Sequence, residues 1–412
     1  MSSFGLDLHR DFCEVAVKDG GQVRRVGRIE TTPVALEAFA NTLRPEDAVV
    51  LEASGGAMRV ARILRGGLVG RVVVVNAGEV RAISHARVKS DRIDAATLAR
   101  LLDADLLGEV WQPDQATLAL RRRIARRSAL VRQRTRAKNE AHAVLMRCLL
   151  GRPPVSDLFG RKGRAWLAEQ QLPEEEQETS DSVLRQIDFL DGEITALDRA
   201  IARQALAWPQ FKRLLTIPGV DVGTAAAVLA AVGDITRFPG PEQLVAYLGL
   251  DPKSRQSGSE PARGGHISKR GNPHARSVLV EAAWRAVRTP GPLRAFGERI
   301  RARRNSQVAA VAVARKLAVL CWQLWQADQD YAYGRPSLTA IKIRRLELLT
   351  GSEQRARTPA GSSPRNPQRR AAEQALQLQA ELAYRRTIAD WRSSRPKDGA
   401  GATTGRASET SS

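Results

Sequence analysis

Cysteine is scarce in this chain. Cys13, Cys148 and Cys321 lie far apart, show no C-x-x-C pairing and are odd in number. Neither a disulfide framework nor a zinc site is expected, and the thiols are expected to be reduced. A long uninterrupted apolar run is also missing. The longest apolar stretch, Val308 to Trp325, carries Arg315 and Lys316 in its middle, which excludes a comfortable membrane span. The opening residues, MSSFGLDLHRDF, contain no basic-then-apolar leader, so a cytoplasmic protein is expected. No internal repeat is evident.

What is present is length, core-forming composition and positive charge. The 412 residues suggest two or three domains of about 150 residues each, and an apolar fraction of 43% argues against disorder over most of the chain. Lys and Arg number 65 against 44 Asp and Glu, leaving a net charge of +21 and calling for a polyanionic partner. Charge alone does not separate nucleic acid from an anionic membrane, but the broken apolar run favours nucleic acid.

The first hundred residues alternate strands and helices. Phe4 to Leu8, Phe12 to Val17 and Gln22 to Glu30 read as three strands, with Asp19-Gly20-Gly21 as a hairpin turn between the last two. A helix from Pro33 to Leu43, a strand from Ala48 to Ala53, a helix from Ala57 to Leu64 and an apolar strand from Arg71 to Val75 follow. This order warrants α/β, and more narrowly matches ribonuclease-H-like nucleases. From Gln115 to Asn139 nine basic residues occur without an acid, and apolar residues recur at helical spacing. Val183, Leu184, Ile187, Leu190, Ile194 and Leu197 mark a second amphipathic helix, which fits a helical hairpin or a dimerising coiled coil. The expected organisation is α/β plus α: a catalytic domain at 1–112, a basic helical region at 113–206, a mainly helical domain at 207–334 and a largely disordered basic tail at 335–412. One helix is expected in that tail, between Gln368 and Arg392.

Four carboxylates stand out. Asp7 lies between Leu6 and Leu8, so the pleat turns it away from the face those leucines bury. Glu52 closes an apolar strand just before Ser54-Gly55-Gly56, where α/β sheets keep their ligands. Asp91 and Asp94 are three apart at a helix start and share a face. If that helix folds back on the sheet the four acids converge, and Mg²⁺ is the usual reason to gather carboxylates in a nucleic-acid enzyme. Singly, Asp91 reads equally as an N-cap, and Asp7 and Glu52 as surface charges. The Arg run holding Arg121, Arg122, Arg123, Arg126 and Arg127 favours contact with an RNA or DNA backbone over a merely solvated face. Pro218 to Gly223 before the Ala-rich Thr224 to Val232 reads as a helix-hairpin-helix-like turn for phosphate, or equally as a site of close helix packing. His266 and His274 have no partner at metal spacing.

Gly5-Leu-Asp-Leu8, Val49 to Gly55, Val72 to Asn76 and Lys89-Ser-Asp-Arg-Ile-Asp-Ala95 resemble the N-terminal domain of DEDD-type insertion-sequence transposases, a domain similar to the junction resolvase RuvC. Ile217-Pro-Gly-Val220, Leu244 to Leu250, Gln256-Ser-Gly258, Gly265 to Asn272 and Arg276 to Ala283 resemble the same family's C-terminal transposase domain, in the same order. The resemblance covers about residues 3 to 330 and implies an RNA-guided DNA recombinase of the bacterial nucleoid. Asp7, Glu52, Asp91 and Asp94 would bind Mg²⁺, and Ser257 would be the nucleophile. Donor and target DNA, an element-encoded guide RNA and further copies of the chain, as a dimer or tetramer, would be the partners. Ser54 and Ser90 depart from the family by standing where Thr is frequent.

From composition alone Ser257 is a turn residue in Ser257-Gly258-Ser259, and only the resemblance makes it a nucleophile. A serine hydroxyl needs a base or metal for activation; Arg255, Lys269 and Arg270 would instead neutralise phosphate. Two other readings stand beside the recombinase: a metal-dependent, structure-specific endonuclease resembling a junction resolvase, without a covalent intermediate, and a binding protein with a decayed site.

Overall fold

The computed structural model describes residues 1–83, 90–255, 263–351 and 363–393. The chain divides into two compact units, Met1–Asp114 and Gln115–Ser412. In the first, β1 (Ser3–Leu8), β2 (Phe12–Asp19) and β3 (Gln22–Glu30) are followed by α1 (Pro33–Ala40), β4 (Ala48–Glu52), α2 (Ala57–Arg65), β5 (Arg71–Val75), α3 (Ala77–Ile83) and α4 (Asp91–Asp103). The sheet order is β3-β2-β1-β4-β5. β1, β2 and β3 form the expected antiparallel meander, while β4 joins β1 and β5 joins β4 in parallel. The β2–β3 turn uses Gly20 and Gly21, both at positive φ (54° and 85°), where a side chain would be strained. Alternation along the strands divides the two faces of the sheet. Leu6, Val49, Leu51, Val72 and Val74 pack with Leu36 of α1 and Val60 and Leu64 of α2. Ala48, Val50, Val73 and Val75 pack with Leu98 and Leu102 of α4. Cover on both faces explains why β4 and β5 are almost wholly apolar.

The described residues of the second unit are helical apart from one hairpin. α5 (Gln115–Arg147), α6 (Arg161–Ala168), α7 (Glu174–Leu206), α8 (Pro209–Leu214), α9 (Val222–Val232) and α10 (Pro241–Tyr247) precede strands β6 (Pro252–Arg255) and β7 (Arg263–Ile267). α11 (Pro273–Ala286), α12 (Pro292–Arg303), α13 (Ser306–Gln326), α14 (Pro336–Leu349) and α15 (Pro367–Ser393) complete it. α5 and α7 form a hairpin within the chain, with Leu130 against Leu190 and Ile194, and Ala137 and Ala141 against Val183 and Ile187. The regions expected as separate, 113–206 and 207–334, fall from Gln115 onward in one compact unit. α9 is buried from Thr224 to Val232, so its alanines serve close packing. α13 is long and apolar enough to cross a membrane by length and composition, yet its Val313, Ala314, Leu317, Ala318 and Cys321 lie in the main core.

The tail departs from expectation. α14 and α15 occupy much of the region expected to be disordered, and α15 nearly coincides with the one helix expected there. α15 packs through polar groups: buried Glu373 accepts from Ser337 N at 3.0 Å, and buried Glu381 accepts from Gly291 N at 2.9 Å and pairs with Arg294. Lys342 of α14 donates to the carbonyls of Leu215 and Val220 at 3.0 and 2.7 Å, tying the tail to the α8–α9 turn. Apolar periodicity carries no trace of such contacts, because the inward positions are acids and amides.

α4 lies antiparallel along β1. Ser3 Oγ donates to Asp103 at one end of the helix, and the Asp7 end of the strand meets the helix start. Gly5 lies between, and its lack of a side chain sets the spacing: a Cβ there would stand 2.1 Å from Ala95 O and 2.6 Å from Ala99 N. Backbone atoms of a packed helix cannot yield as a flexible side chain does. Gly5→Val is therefore expected to destabilise the full chain by at least about 3 kcal/mol. The check is the urea midpoint together with hydrogen-exchange protection in β1 and α4, and unchanged protection there would refute the packing account.

Candidate active site

Asp7 and Glu52 lie side by side where β1 and β4 part. The last residues paired between these two strands are Leu6 and Leu51, and each acid is the next residue of its strand, still paired on its other side, Asp7 with Glu14 and Glu52 with Val75. Ser90, rather than Asp91, caps α4: its hydroxyl accepts from Ile93 N at 3.3 Å, so Asp91 is free of the capping role and occupies the first turn with Asp94. The structure brings Asp7 and Asp91 together through a residue that the sequence reading passed over, His9. Its Nε2 lies 2.9 Å from Asp7 Oδ2 and 3.4 Å from Asp91 Oδ1. One ligand atom from each of Asp7, His9 and Asp91 falls within 4.8 Å of the others, a donor set able to hold a metal ion. Glu52 and Asp94 stand outside that tight group. Asp94 is near enough for its charge to act on Asp7, and Glu52 is half-buried at the adjacent strand end.

The surroundings balance charge around these acids. Burial pushes the Asp7 carboxyl above the usual aspartate range, His9 opposes this, and the charges of Asp94 and Asp91 add to the upward shift. Asp7 is paired across the sheet with Glu14, a fully buried carboxylate that sequence inspection did not single out. Two like charges directly opposite would repel. Arg25 and Arg28 offset this: Arg25 Nη2 donates to Glu14 at 3.1 Å and Arg28 Nε at 3.0 Å. Arg28 also lies 3.9 Å from Asp91 and rests 4.1 Å from the centre of the Phe12 ring. Phe12 in turn stacks on His9, with centroids 4.8 Å apart. The signal available in the sequence was alternation, since Glu14 sits among Cys13, Val15 and Val17 on a buried strand.

The other expected site residues are distributed unevenly. Ser257 lies outside the described residues, between β6 and β7. Arg255 ends β6, and Lys269 and Arg270 are exposed beyond β7, with Lys269 at φ +55°. On α5, Arg121 donates to the carbonyls of Ala230 and Ala231 at 2.5 and 2.9 Å, Arg123 to Gln204, and Arg127 pairs with Asp198. Arg122 and Arg126 are exposed. Asp221 caps α9 by accepting from Thr224 N at 2.8 Å and pairs with Arg285, so that end of the turn is already satisfied from within.

Two family descriptions match the chain: "Transposase", of the DEDD IS110 type, over residues 4–149, and "Transposase IS116/IS110/IS902 family" over residues 211–298. The chain belongs to the IS110/IS116 family of transposases. It is an enzyme that acts on DNA. It is 29% identical over 350 residues to a "Probable family 20 transposase" of Pseudomonas aeruginosa, covering 81% of this chain and 99% of that one. It is 28% identical over 354 residues to the "Transposase for insertion sequence element IS1111A" of Coxiella burnetii, covering 80% and 91%. The y4qE protein of Sinorhizobium fredii, also named as a transposase, is 34% identical over 199 residues, 48% of each chain. The DEDD match spans all four acids, and the second match spans Ser257.

Glu14 gives this transposase an acid-sensitive site. The hydrogen bond from Arg25, with that from Arg28, holds the Glu14 carboxyl below its ordinary value of 4.5 against the opposing effect of burial. The unfolded chain binds a proton first as pH falls, so Glu14 stabilises the fold fully above about pH 4.5 and loses that contribution as pH drops through its lowered value. Glu14→Gln is expected to flatten the acid side of the stability profile, measured as the urea midpoint from about pH 6 down to about pH 3. An equally steep acid limb in the variant would count against the pairing.

Proposed function

We propose that this transposase breaks and rejoins the DNA of an insertion sequence through a phosphoserine intermediate formed by Ser257, with Asp7, Glu52, Asp91 and Asp94 holding Mg²⁺ in a ribonuclease-H-like unit. The observation that carries the reading is the convergence of Asp7 and Asp91, with His9, where the end of β1 meets the first turn of α4. The sheet order, an antiparallel meander extended by two parallel strands, supports the ribonuclease-H-like assignment. When bound, the ion would supply Lewis-acid stabilisation of charge on phosphate oxygens. The chain's own acids contribute the negative wall that keeps that cation in place, and Arg255, Lys269 and Arg270 flank Ser257 in sequence to receive the phosphate.

In the proposed step, Ser257 Oγ loses its proton and attacks a phosphodiester. The new P–Oγ bond replaces the P–O bond to one DNA end, which departs as a hydroxyl. The phosphoserine ester conserves the energy of the broken bond, so another DNA hydroxyl can reverse the attack without ATP. An element-encoded RNA pairing with donor and target DNA would set specificity, leaving the protein to hold backbone, and further copies of the chain, as a dimer or tetramer, would assemble the two DNA partners. A net charge of +21 supports a backbone-binding role.

The exposed arginines should report that role. Arg122→Ala and Arg126→Ala are each expected to lower the slope of log affinity against log salt by about one, as loss of one phosphate contact does, in filter binding of RNA or DNA. Unchanged slopes would remove α5 from the binding face. For the chemistry, full-length protein is incubated with Mg²⁺, the element's flanking RNA and labelled donor and target DNA. A covalent protein–DNA adduct is expected, absent in Ser257→Ala, and strand joining is expected to fall by at least ~100-fold in Asp91→Asn. Cleavage that survives Ser257→Ala yet disappears in Asp91→Asn would establish the metal-dependent endonuclease instead.

A further inference from the structure

We infer that His9 is itself a ligand of the cation held by Asp7 and Asp91, and that its imidazole turns the preference of the site from Mg²⁺ toward the nitrogen-accepting ion Mn²⁺. The inference rests on the metal-site reading above and adds to it a donor atom and a choice of ion.

The geometry comes first. An octahedral ion with bonds of about 2.1 Å sets adjacent ligand atoms about 3 Å apart. The Nε2 of His9 stands 2.9 Å from one carboxylate oxygen and 3.4 Å from the other, close to the spacing of neighbouring corners, and all three atoms lie within 4.8 Å of one another. The ring is also held in place. The backbone N–H of His9 donates to Phe12 O at 2.9 Å, its carbonyl accepts from Thr31 Oγ1 at 3.1 Å, and the imidazole stacks on Phe12. A side chain fixed in this way loses little conformational freedom on binding an ion. Side-chain exposures of 39% for His9, 20% for Asp7 and 40% for Asp91 leave the three donors open to an ion arriving from water.

Ligand chemistry then selects among ions. Mg²⁺ takes oxygen almost exclusively and keeps its waters, whereas imidazole suits first-row transition ions, of which Mn²⁺ also accepts carboxylate readily. Two carboxylates with one imidazole form a mixed donor set that an all-acid site lacks. Without the ion, the same His9 nitrogen hydrogen-bonds Asp7 at 2.9 Å and lies 3.4 Å from Asp91, which keeps the donors gathered.

The test is pulsed EPR on the full-length protein with one equivalent of Mn²⁺, unlabelled and with ¹⁵N-histidine, alongside Mn²⁺ and Mg²⁺ titrations of wild type, His9→Gln, Asp7→Asn and Asp91→Asn. A directly coordinated histidine nitrogen is expected in wild type and lost in His9→Gln. The ratio of Mn²⁺ to Mg²⁺ affinity is expected to fall about tenfold in that variant. Mn²⁺ binding that needs Asp7 and Asp91 but shows no nitrogen coupling would overturn the role of His9 while leaving the metal site intact. Binding indifferent to both aspartates would overturn the site and this inference together.

Discussion

The close approach of α4 to β1 at Gly5 is the contact on which the geometry of the candidate site depends. Gly5 and Asp7 are two residues apart and therefore face the same side of the sheet. With no side chain at Gly5, the backbone of Ala95 and Ala99 settles directly on the strand. α4 then lies at one depth and in one direction, and its first turn arrives beside Asp7. Ser90 caps that turn and leaves the Asp91 carboxylate to face the site. Gly5 thus sets the distance between two of the acids proposed to form the metal site.

Gathering acids in this way creates an electrostatic cost, and the surrounding residues offset it locally. Glu14 is paired with Arg25 and Arg28, Asp7 is hydrogen-bonded to His9, and Phe12 links the two groups by stacking with His9 and lying beneath Arg28. Glu14 is fully buried, a state that a carboxylate tolerates only when paired and hydrogen-bonded. The candidate site is therefore an assembly of paired charges on three strands and one helix, rather than four acids attached to a scaffold.

The helical unit uses charge differently. Along the α5–α7 hairpin, Arg127 pairs with Asp198, Arg134 with Asp191 and Arg147 with Glu176, an antiparallel ladder in which arginines on one helix meet acids on the other. A basic sequence segment without acids of its own is consequently partly neutralised by its neighbour, and only part of its charge remains to face a polyanion. α15 extends the same logic: it docks through Glu373, Gln377 and Glu381, and the apolar side chains Leu376 and Leu382 remain exposed.

Strand alternation, the Gly-Gly turn, proline-led helices and the apolar runs of β4 and β5 were legible in the sequence, because each is local and depends on period and backbone preference. The places of the four acids, near strand ends and in a helix start, were legible too, and Asp7 and Asp91 are the two that the fold brings together beside His9. The partners of those acids were not. His9 reads as an isolated histidine, Glu14 as one acid in an apolar strand, and Arg121 as one more cation in a basic run, until folding sets them beside Asp91, Arg25 and the α9 carbonyls. Which charges survive for function is a matter of pairwise distances between residues remote in the chain, and those distances exist only once the helices and strands are packed.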